Sequence, residues 1–303
     1  MSYTESGLFF ASDLDLTLIA GQKDEPDVHR AANADLMLLN TLIESERQAH
    51  PERPFYFASC SGRTIKSQRE ELAKPDDPTQ TAFRYAISKR GPMNAMIGSV
   101  GVEIEIRNTG GDFKPVLDWP DAANWNREAI QSLLMSQTPE GELDLQPDIA
   151  QDRNKLSFDV HAPSLTEEQY RAKIIGLIGG TTLAASVIVS SGHGMKFLDI
   201  LPQDSNGKTT DKGAAIVQTS RLLAEKDSRD KEPMIVFAGD SGNDIGAANA
   251  TILANGLVIV PANASIEKWA RKHEAYGRQI FIAEANFAAG IIEVMRKRGL
   301  LTS

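Results

Sequence analysis

The sequence has a single cysteine, no basic run and no long hydrophobic segment. Cys60 cannot form a disulfide within the chain, and the first residues, MSYTESGLFF, lack the basic start and apolar core of a signal peptide. Both observations favour a reducing, cytoplasmic location. The longest apolar runs, such as GLVIVPA, are strand-sized and far shorter than the ~20 residues that a membrane span needs. We therefore expect no membrane association.

Positive charge is also scarce. The 303 residues contain 32 Lys and Arg against 41 Asp and Glu, which gives a formal net charge of -9. A chain of this charge repels polyanions, so nucleic acid is not an expected partner. Any phosphate that the protein handles must be held locally, by a cation or by a few well-placed donors.

Short apolar strands alternate with amphipathic helices in the first and last thirds of the chain. This pattern predicts an α/β fold with a doubly wound, Rossmann-like parallel sheet that is covered by helices on both faces. The middle third instead combines alternating strands, such as VEIEIR and LSFDVH, with only two helices, near 124–135 and 166–178. We predict that residues 105–204 form an inserted α+β domain, and that 1–104 and 205–303 together form the core.

Two acidic clusters follow predicted buried strands. Asp13 and Asp15 come directly after LFFAS, and strand alternation would turn both carboxylates to the same side. At about 4 Å and an effective dielectric constant near 20, two such charges repel by ~4 kcal/mol, which a divalent cation would relieve. The second cluster, GDSGND, follows MIVFA and contains Asp240, Asn243 and Asp244. Either cluster alone also fits an ordinary turn or helix cap, but two at strand ends favour a metal site.

Candidate phosphate donors lie between these clusters. Ser61 and Gly62 follow the strand PFYFASC and offer a hydroxyl and backbone amides at a predicted helix start, where anions are favoured. Lys212 begins another predicted helix, where its charge opposes the helix dipole, and binding a phosphoryl oxygen would explain its position. Lys208 competes for this role. We prefer Lys212 because KGAAIVQTSRLL continues as a helix.

In chain order, the segments DLDLT, SGR, DKG and GDSGND resemble the four motifs of the haloacid dehalogenase (HAD) superfamily of phosphatases. The resemblance covers the whole chain, because the insert lies between the second and third motifs, as it does in the branch with a large α/β cap. Within that branch, SVGVEIEI, LDILP and VIVPANA look most like the sucrose-phosphate phosphatase-like (Cof-type) members. Two segments depart from that pattern: the longer connection at 202–212 and an apparent extra loop at 74–94.

The resemblance implies roles for the acidic residues. Asp13 would be the nucleophile that forms an aspartyl-phosphate. Asp15 would be the general acid that protonates the leaving oxygen and then the base that activates water. Mg²⁺ would be held by the Asp13 side chain, the Asp15 backbone carbonyl and Asp240. Asn243 and Asp244 would support the metal ligands and Lys212 through hydrogen bonds, without being direct ligands themselves.

The resemblance also implies that Ser61, Gly62 and Lys212 bind the phosphoryl oxygens. In this branch the cap closes over the core and selects the substrate, so polar residues on its strands are candidate sugar ligands. The alternative for each is a turn residue or a charge that faces solvent. The cap candidates are His193, Lys196, Arg153 and Lys155.

The predicted function is Mg²⁺-dependent hydrolysis of a phosphorylated sugar or sugar derivative, such as sucrose 6-phosphate, and the partner is that small molecule. One alternative is a phosphomutase of the phosphomannomutase type, which returns the phosphoryl group to another hydroxyl. A second alternative is a non-catalytic sensor of sugar phosphates. The presence of Asp13, Asp15 and Lys212 argues against the sensor, because a binding module has no use for a nucleophile and an acid.

Overall fold

The structure of the protein is a computed structural model. His193, one of the cap candidates, lies outside the residues that it describes. The described residues are 6–21, 23–74, 77–120, 122, 125–162, 164–192, 195–204 and 206–302.

The regular elements alternate along most of the chain. In chain order the strands are β1 (Leu8–Ser12), β2 (Phe55–Cys60), β3 (Ala95–Gly98), β4 (Glu103–Arg107), β5 (Phe113–Pro115), β6 (Leu143–Leu145), β7 (Leu156–Val160), β8 (Ala185–Gly192), β9 (Met195–Pro202), β10 (Met234–Ala238), β11 (Leu257–Val260) and β12 (Ile280–Ile282). The α-helices are α1 (Pro26–Ala49), α2 (Ile65–Glu71), α3 (Thr81–Ile87), α4 (Arg127–Gln137), α5 (Glu167–Gly179), α6 (Lys212–Lys226), α7 (Ile245–Leu253), α8 (Glu267–Lys272) and α9 (Phe287–Lys297).

The larger sheet has the strand order β12-β11-β10-β1-β2-β3-β4-β5. Neighbouring strands from β12 to β3 are parallel, and β4 and β5 are added antiparallel at one edge. In the register of the central strands, Phe10 of β1 lies opposite Val236 of β10 and Phe57 of β2. The carboxyl ends of β10, β1 and β2 therefore meet at one edge of the sheet, where ligands bind in open α/β sheets.

Both faces of the larger sheet are buried. Phe10 stacks on Phe57 with ring centroids 5.3 Å apart, on the face that packs against α1 and α9. Phe9, its neighbour in β1, packs with Phe237 on the opposite face, against α6 and α7. Because adjacent strand residues point to opposite faces, burial on both sides requires a continuously apolar strand. The predicted α/β fold with a mainly parallel, doubly wound sheet is confirmed.

The smaller sheet is antiparallel, with the order β6-β7-β9-β8. One face is covered by α4 and α5, whose residues pack on Phe158 and Leu198. On the other side, Ile188 and Leu201 pack in a small cluster with residues 100 and 102 of the larger unit. The smaller sheet therefore lies against the larger unit through a face that its own helices leave open.

The expected domain boundary at residue 105 falls inside β4. This strand pairs antiparallel with β3, with Ile104 opposite Ile97, and so continues the larger sheet. Its alternating sequence is that of a half-buried antiparallel strand, a pattern that fits either sheet when only the sequence is known. The chain leaves the larger sheet after β5.

The segment at 74–94 was expected to be an extra loop, and the structure shows that it is partly helical. It contains a short 3₁₀ turn at Pro78–Gln80 followed by α3. The Asn40 side chain of α1 donates to the Ala82 carbonyl at 3.0 Å, and the Ala82 N–H donates to Asn33 at 2.8 Å. The segment is thus a packed part of the α1 layer. Among the described residues, no helix has the length and apolar character to cross a membrane.

Candidate active site

Three loops at the carboxyl ends of the central strands bring the predicted residues together. Asp13 directly follows β1, and its backbone N–H donates to the Ala238 carbonyl at the end of β10 at 2.9 Å. Asp240 follows β10, and Ser61 follows β2. Because β1 lies between β10 and β2, these loops surround one small volume.

Lys212 is the first residue of α6 and is only 1% exposed. Its ammonium lies 2.9 Å from Asp13 Oδ1, 2.6 Å from Asp244 Oδ1 and 3.2 Å from Asn243 Oδ1. Burial alone would lower the pKa of Lys212, but the carboxylates of Asp13 and Asp244 more than offset this effect and raise it. Lys208, the alternative lysine, is exposed to solvent. The structure therefore brings Lys212, and not Lys208, into the acidic cluster.

Three buried carboxylates form that cluster. Asp13, Asp240 and Asp244 each have an oxygen within 4.8 Å of the others. Burial and the charge of Asp244 raise the pKa of Asp13 well above its ordinary value and raise the pKa of Asp240 to about 7. One ammonium cannot neutralise three carboxylates, so the site favours a further positive charge.

The hydrogen bonds show which oxygens are open to a cation. Asp244 accepts Lys212 on Oδ1 and the Asp240 backbone N–H on Oδ2, at 3.0 Å. Asp240 accepts the Thr17 hydroxyl on Oδ1 at 2.9 Å, and Asp13 accepts Lys212 on Oδ1. Within the described residues, Oδ2 of Asp13 and Oδ2 of Asp240 accept no hydrogen bond. This hard oxygen donor set can hold a divalent cation.

The loop after β2 presents a hydroxyl beside open space. Ser61 is 1% exposed, and its Oγ accepts the Arg63 N–H at 3.1 Å, which leaves the hydroxyl hydrogen available for another acceptor. A Cβ placed on Gly62 would meet no atom within 4 Å. Thr64 then caps α2 by accepting the Ser67 N–H at 2.9 Å. A phosphoryl group could approach the loop at Gly62.

Arg63 is a site residue that the sequence analysis did not select. Its guanidinium holds Asp15 with two hydrogen bonds, Nε to Oδ2 at 2.7 Å and Nη2 to Oδ1 at 2.9 Å. Its Nη1 donates to Glu71 at 2.8 Å. Thr17, which bonds Asp240, was also missed. Both residues belong to motifs that the sequence analysis had identified: Arg63 is the basic residue of SGR, and Thr17 is the last residue of DLDLT.

Of the described cap candidates, the structure brings one to the site. The Lys155 ammonium crosses from the smaller unit and donates to the Gly62 carbonyl at 2.9 Å. Lys196 donates to the Ala162 carbonyl at 2.9 Å, within the smaller unit. Arg153 is exposed to solvent.

Comparison with known protein families decides the classification. The model of the sucrose-6F-phosphate phosphohydrolase family matches residues 6–297. The chain belongs to this family. It is therefore a phosphatase of the HAD superfamily, that is, a phosphoric monoester hydrolase, as the four motifs predicted.

A solved structure shows the same fold. A sucrose-phosphatase from Synechocystis sp. PCC6803, in complex with sucrose and phosphate, is 22% identical with a TM-score of 0.66, and the match covers 98% of this chain and 100% of that chain. An IMP-bound IMP-nucleotidase from Plasmodium falciparum is 14% identical with a TM-score of 0.47, over 86% of this chain and 66% of that chain. A search of the curated proteins finds no match. The family fold thus extends over nearly the whole chain.

Proposed function

We propose that the protein hydrolyses a sugar phosphate of the sucrose 6-phosphate type, with Mg²⁺ and through an aspartyl-phosphate on Asp13. The observation that carries the proposal is the setting of Asp13, a buried carboxylate 2.9 Å from Lys212 within an acidic triad that can hold a cation. An anionic nucleophile can approach a phosphate ester only where positive charge offsets their repulsion. The family supports the phosphatase reaction, and the sucrose and phosphate in the Synechocystis structure support the substrate class.

The open oxygens of Asp13 and Asp240 would hold Mg²⁺, together with the Asp15 backbone carbonyl. The bound cation would neutralise the carboxylates and polarise the phosphoryl group. Asn243 and Asp244 would support this site without contacting the substrate. Their side chains hold the Lys212 ammonium at the position from which it can reach a phosphoryl oxygen.

The reaction needs two displacements at phosphorus. In the first, an Asp13 oxygen attacks phosphorus, the bond from phosphorus to the sugar oxygen breaks, and protonated Asp15 gives its proton to that oxygen. In the second, Asp15 takes a proton from water as the water attacks phosphorus, which releases inorganic phosphate and restores Asp13. Ser61 and Lys212 would hold the phosphoryl oxygens. Arg63 donates to both oxygens of Asp15, so one of these two bonds would have to open for Asp15 to carry the proton.

We also propose a domain division that follows the two sheets. The core would consist of the larger sheet with its helices, and the cap would consist of the smaller sheet with α4 and α5. The cap would then begin after β5 and end before α6. The packing of Ile188 and Leu201 against the larger unit supports a cap that covers the strand ends and selects the sugar.

The test is phosphate release from a panel of esters, with Mg²⁺ and with EDTA. The panel contains sucrose 6-phosphate, trehalose phosphate, glucosylglycerol phosphate, mannosyl-phosphoglycerate and hexose monophosphates. We expect phosphate release that needs Mg²⁺ and is lost in Asp13→Asn. Release should be retained in the control Asp230→Asn, because the Asp230 side chain is exposed in the loop between α6 and β10. Metal-independent release that survives in Asp13→Asn would contradict the mechanism. Isomerised sugar phosphate without release would indicate a mutase, and binding without turnover would indicate a sensor.

A further inference from the structure

Two hydrogen bonds join the smaller unit to the loop at residues 61–64. The Lys155 ammonium, just before β7, donates to the Gly62 carbonyl at 2.9 Å. The Thr64 hydroxyl donates to the Ile149 carbonyl at 2.8 Å. The loop that carries Ser61 is therefore shaped by residues of both units, and Lys155 brings a full charge to it.

Lys155 is held so that its ammonium has little freedom. Its side chain is 5% exposed, and its Nζ lies 3.3 Å from Asp199 Oδ1. The Ser157 hydroxyl donates to the same oxygen at 2.5 Å, and Ser157 and Asp199 are opposite residues of the paired strands β7 and β9. The strand pairing thus fixes the carboxylate, and the carboxylate fixes the ammonium against the Gly62 carbonyl.

The bond from Lys155 fixes the peptide group between Gly62 and Arg63. The carbonyl of this peptide accepts Lys155, and its N–H donates to Ser61 Oγ at 3.1 Å. In a planar trans peptide the carbonyl and the N–H point in opposite directions, so holding one also directs the other. The Val100 N–H holds the preceding carbonyl, that of Ser61, at 3.1 Å. The Ser61 hydroxyl is thereby left with its hydrogen free to donate.

Gly62 makes this support necessary. A glycine backbone samples more conformations than other residues, and no atom lies within 4 Å of the position that a Gly62 Cβ would take, so no side chain at this position restrains the peptide. We propose that Lys155 is a positioning residue, which acts through the Gly62–Arg63 peptide to orient the Ser61 hydroxyl and so completes the phosphate site from the smaller unit. The inference rests on the proposed function, in which Ser61 binds the phosphoryl group.

A double-mutant cycle tests this role. The variants are Lys155→Met, Ser61→Ala and the double variant, and the measurement is the Kd of inorganic phosphate with Mg²⁺ by titration calorimetry. Loss of one hydrogen bond to a charged group predicts phosphate binding about tenfold weaker in each single variant. Because Lys155 acts through Ser61, the double variant should bind no more weakly than Ser61→Ala. Lys155→Arg, which keeps the charge and a donor, should retain most of the affinity.

A matched control is Lys226→Met. Its ammonium also donates to a backbone carbonyl, that of Arg107 at 2.6 Å, but at the far end of α6. Phosphate affinity should be unchanged in this variant. Thermal unfolding of each variant reports folding, and if Lys155→Met does not fold, Asp199→Asn releases the ammonium more mildly and should weaken phosphate binding in the same direction.

A direct contact between Lys155 and the sugar predicts a different result. In that case Lys155→Met would raise the KM for sucrose 6-phosphate but leave unchanged both phosphate binding and the KM for p-nitrophenyl phosphate. That pattern, additive effects in the cycle, or unchanged affinity in either single variant would overturn the proposal. If the wild-type protein binds phosphate but hydrolyses no ester, the proposed function fails while the binding comparison still decides the role of Lys155.

Discussion

The charge of Lys212 opposes the effect of burial on Asp13, whose pKa burial and the charge of Asp244 raise well above its ordinary value. Asp13 and Asp244 are buried, and a buried carboxylate without a counter-charge is costly and takes up a proton instead. The ammonium 2.9 Å from Asp13 favours the ionised form that a nucleophile needs. One lysine thus serves both the stability of the strand ends and their proposed chemistry.

Replacing Lys212 by Met should abolish phosphate release and lower the free energy of unfolding by about 3 kcal/mol, because one partner of a buried ion pair is removed. Urea unfolding and the phosphate assay measure the two effects. Lys208→Met is the comparison, since the exposed side chain of Lys208 predicts a stability change within about 0.5 kcal/mol and normal release. Loss of release in Lys208→Met alone would assign the phosphate role to Lys208.

Cys60 precedes Ser61 but should be chemically silent. It is fully buried at the end of β2, and burial raises the pKa of its thiol, which keeps it protonated. Since the thiolate is the reactive form, a thiol reagent should not modify the native protein, and should modify one thiol per chain after unfolding. Rapid modification of the native protein would show that the β2 end is open to solvent.

The positions of the motif residues could be predicted from the sequence, but the contacts of long side chains could not. Asp13 and Asp240 follow buried strands, so strand order alone brings them together. The pairing of Arg63 with Asp15, 48 residues away, depends on the rotamer of a long side chain, which no local pattern specifies. The same limit applies to Lys196, whose bond to the Ala162 carbonyl of its own unit no local pattern specifies; its selection as a sugar ligand stays a prediction.

At the scale of elements, buried arginines attach irregular segments to the larger sheet. Arg107, at the end of β4, donates from Nε to the Met93 carbonyl at 2.6 Å and from Nη1 to the Ser88 carbonyl at 2.6 Å. Its Nη2 donates to the Ala86 carbonyl at 3.2 Å. The Ala86 and Ser88 carbonyls also accept the backbone N–H groups of Met93 and Gly91, so the guanidinium adds a second donor to each of them and binds the Met93 carbonyl as well. The segment expected to be a loop is therefore fixed by a strand that was expected to belong to the insert.

Arg107→Met should lower the free energy of unfolding by about 3 kcal/mol, because the buried Met93 carbonyl loses its side-chain donor and the Ala86 and Ser88 carbonyls each lose one of two donors. Phosphate release by the folded variant should be retained, since Arg107 lies at the end of β4 away from the site. Arg271→Met is the control, because Arg271 forms an exposed pair with Glu267 whose loss should change the stability little. Equal stability of both variants in urea would show that these carbonyls are solvated.

Where one residue pattern fits two kinds of structure, the sequence did not decide between them. The apolar central strands were recognised because burial on both faces leaves little room for polar residues. In β4, the alternation of Glu103, Ile104 and Glu105 indicates a strand but not which sheet it joins. The partner is decided by the chain crossing from Gly98, through a turn in which Ser99 and Val100 adopt positive φ. Gly101, at φ 106°, supplies the residue type that a positive φ favours, but the positive φ of Ser99 and Val100 has no sequence signature.

At the scale of the whole molecule, three acidic side chains are buried together where a cation is expected. The pKa of Asp240 is raised to about 7 by burial and by Asp244, so the folded state holds this proton more tightly than the unfolded chain does. In the metal-free protein this contribution to stability is present at acidic pH and is lost as the pH rises through about 7. A cation bound at the proposed site would replace the proton.

Mg²⁺ should therefore raise the Tm more at alkaline than at acidic pH, because it binds the ionised carboxylates of the folded state only. Differential scanning calorimetry with and without Mg²⁺ measures this difference. In Asp240→Asn the shift should be largely lost, and in Asp230→Asn it should persist. An equal shift at both pH values, or one that survives in Asp240→Asn, would place the cation elsewhere.

The strand order also determines when the site can exist during synthesis. The smaller sheet is formed by residues 143–202, so it can be completed before the last third of the chain has been synthesised. The strand before Asp13, β1, instead waits for β10, its neighbour on one side, although it is among the first segments to emerge. A nascent chain that ends before Asp244 holds Asp13 without the full set of charges around it. Phosphatase activity should therefore appear only with a nearly complete chain. Until β10 pairs with it, the apolar strand β1 has one unpaired edge, which is the kind of surface that chaperones bind.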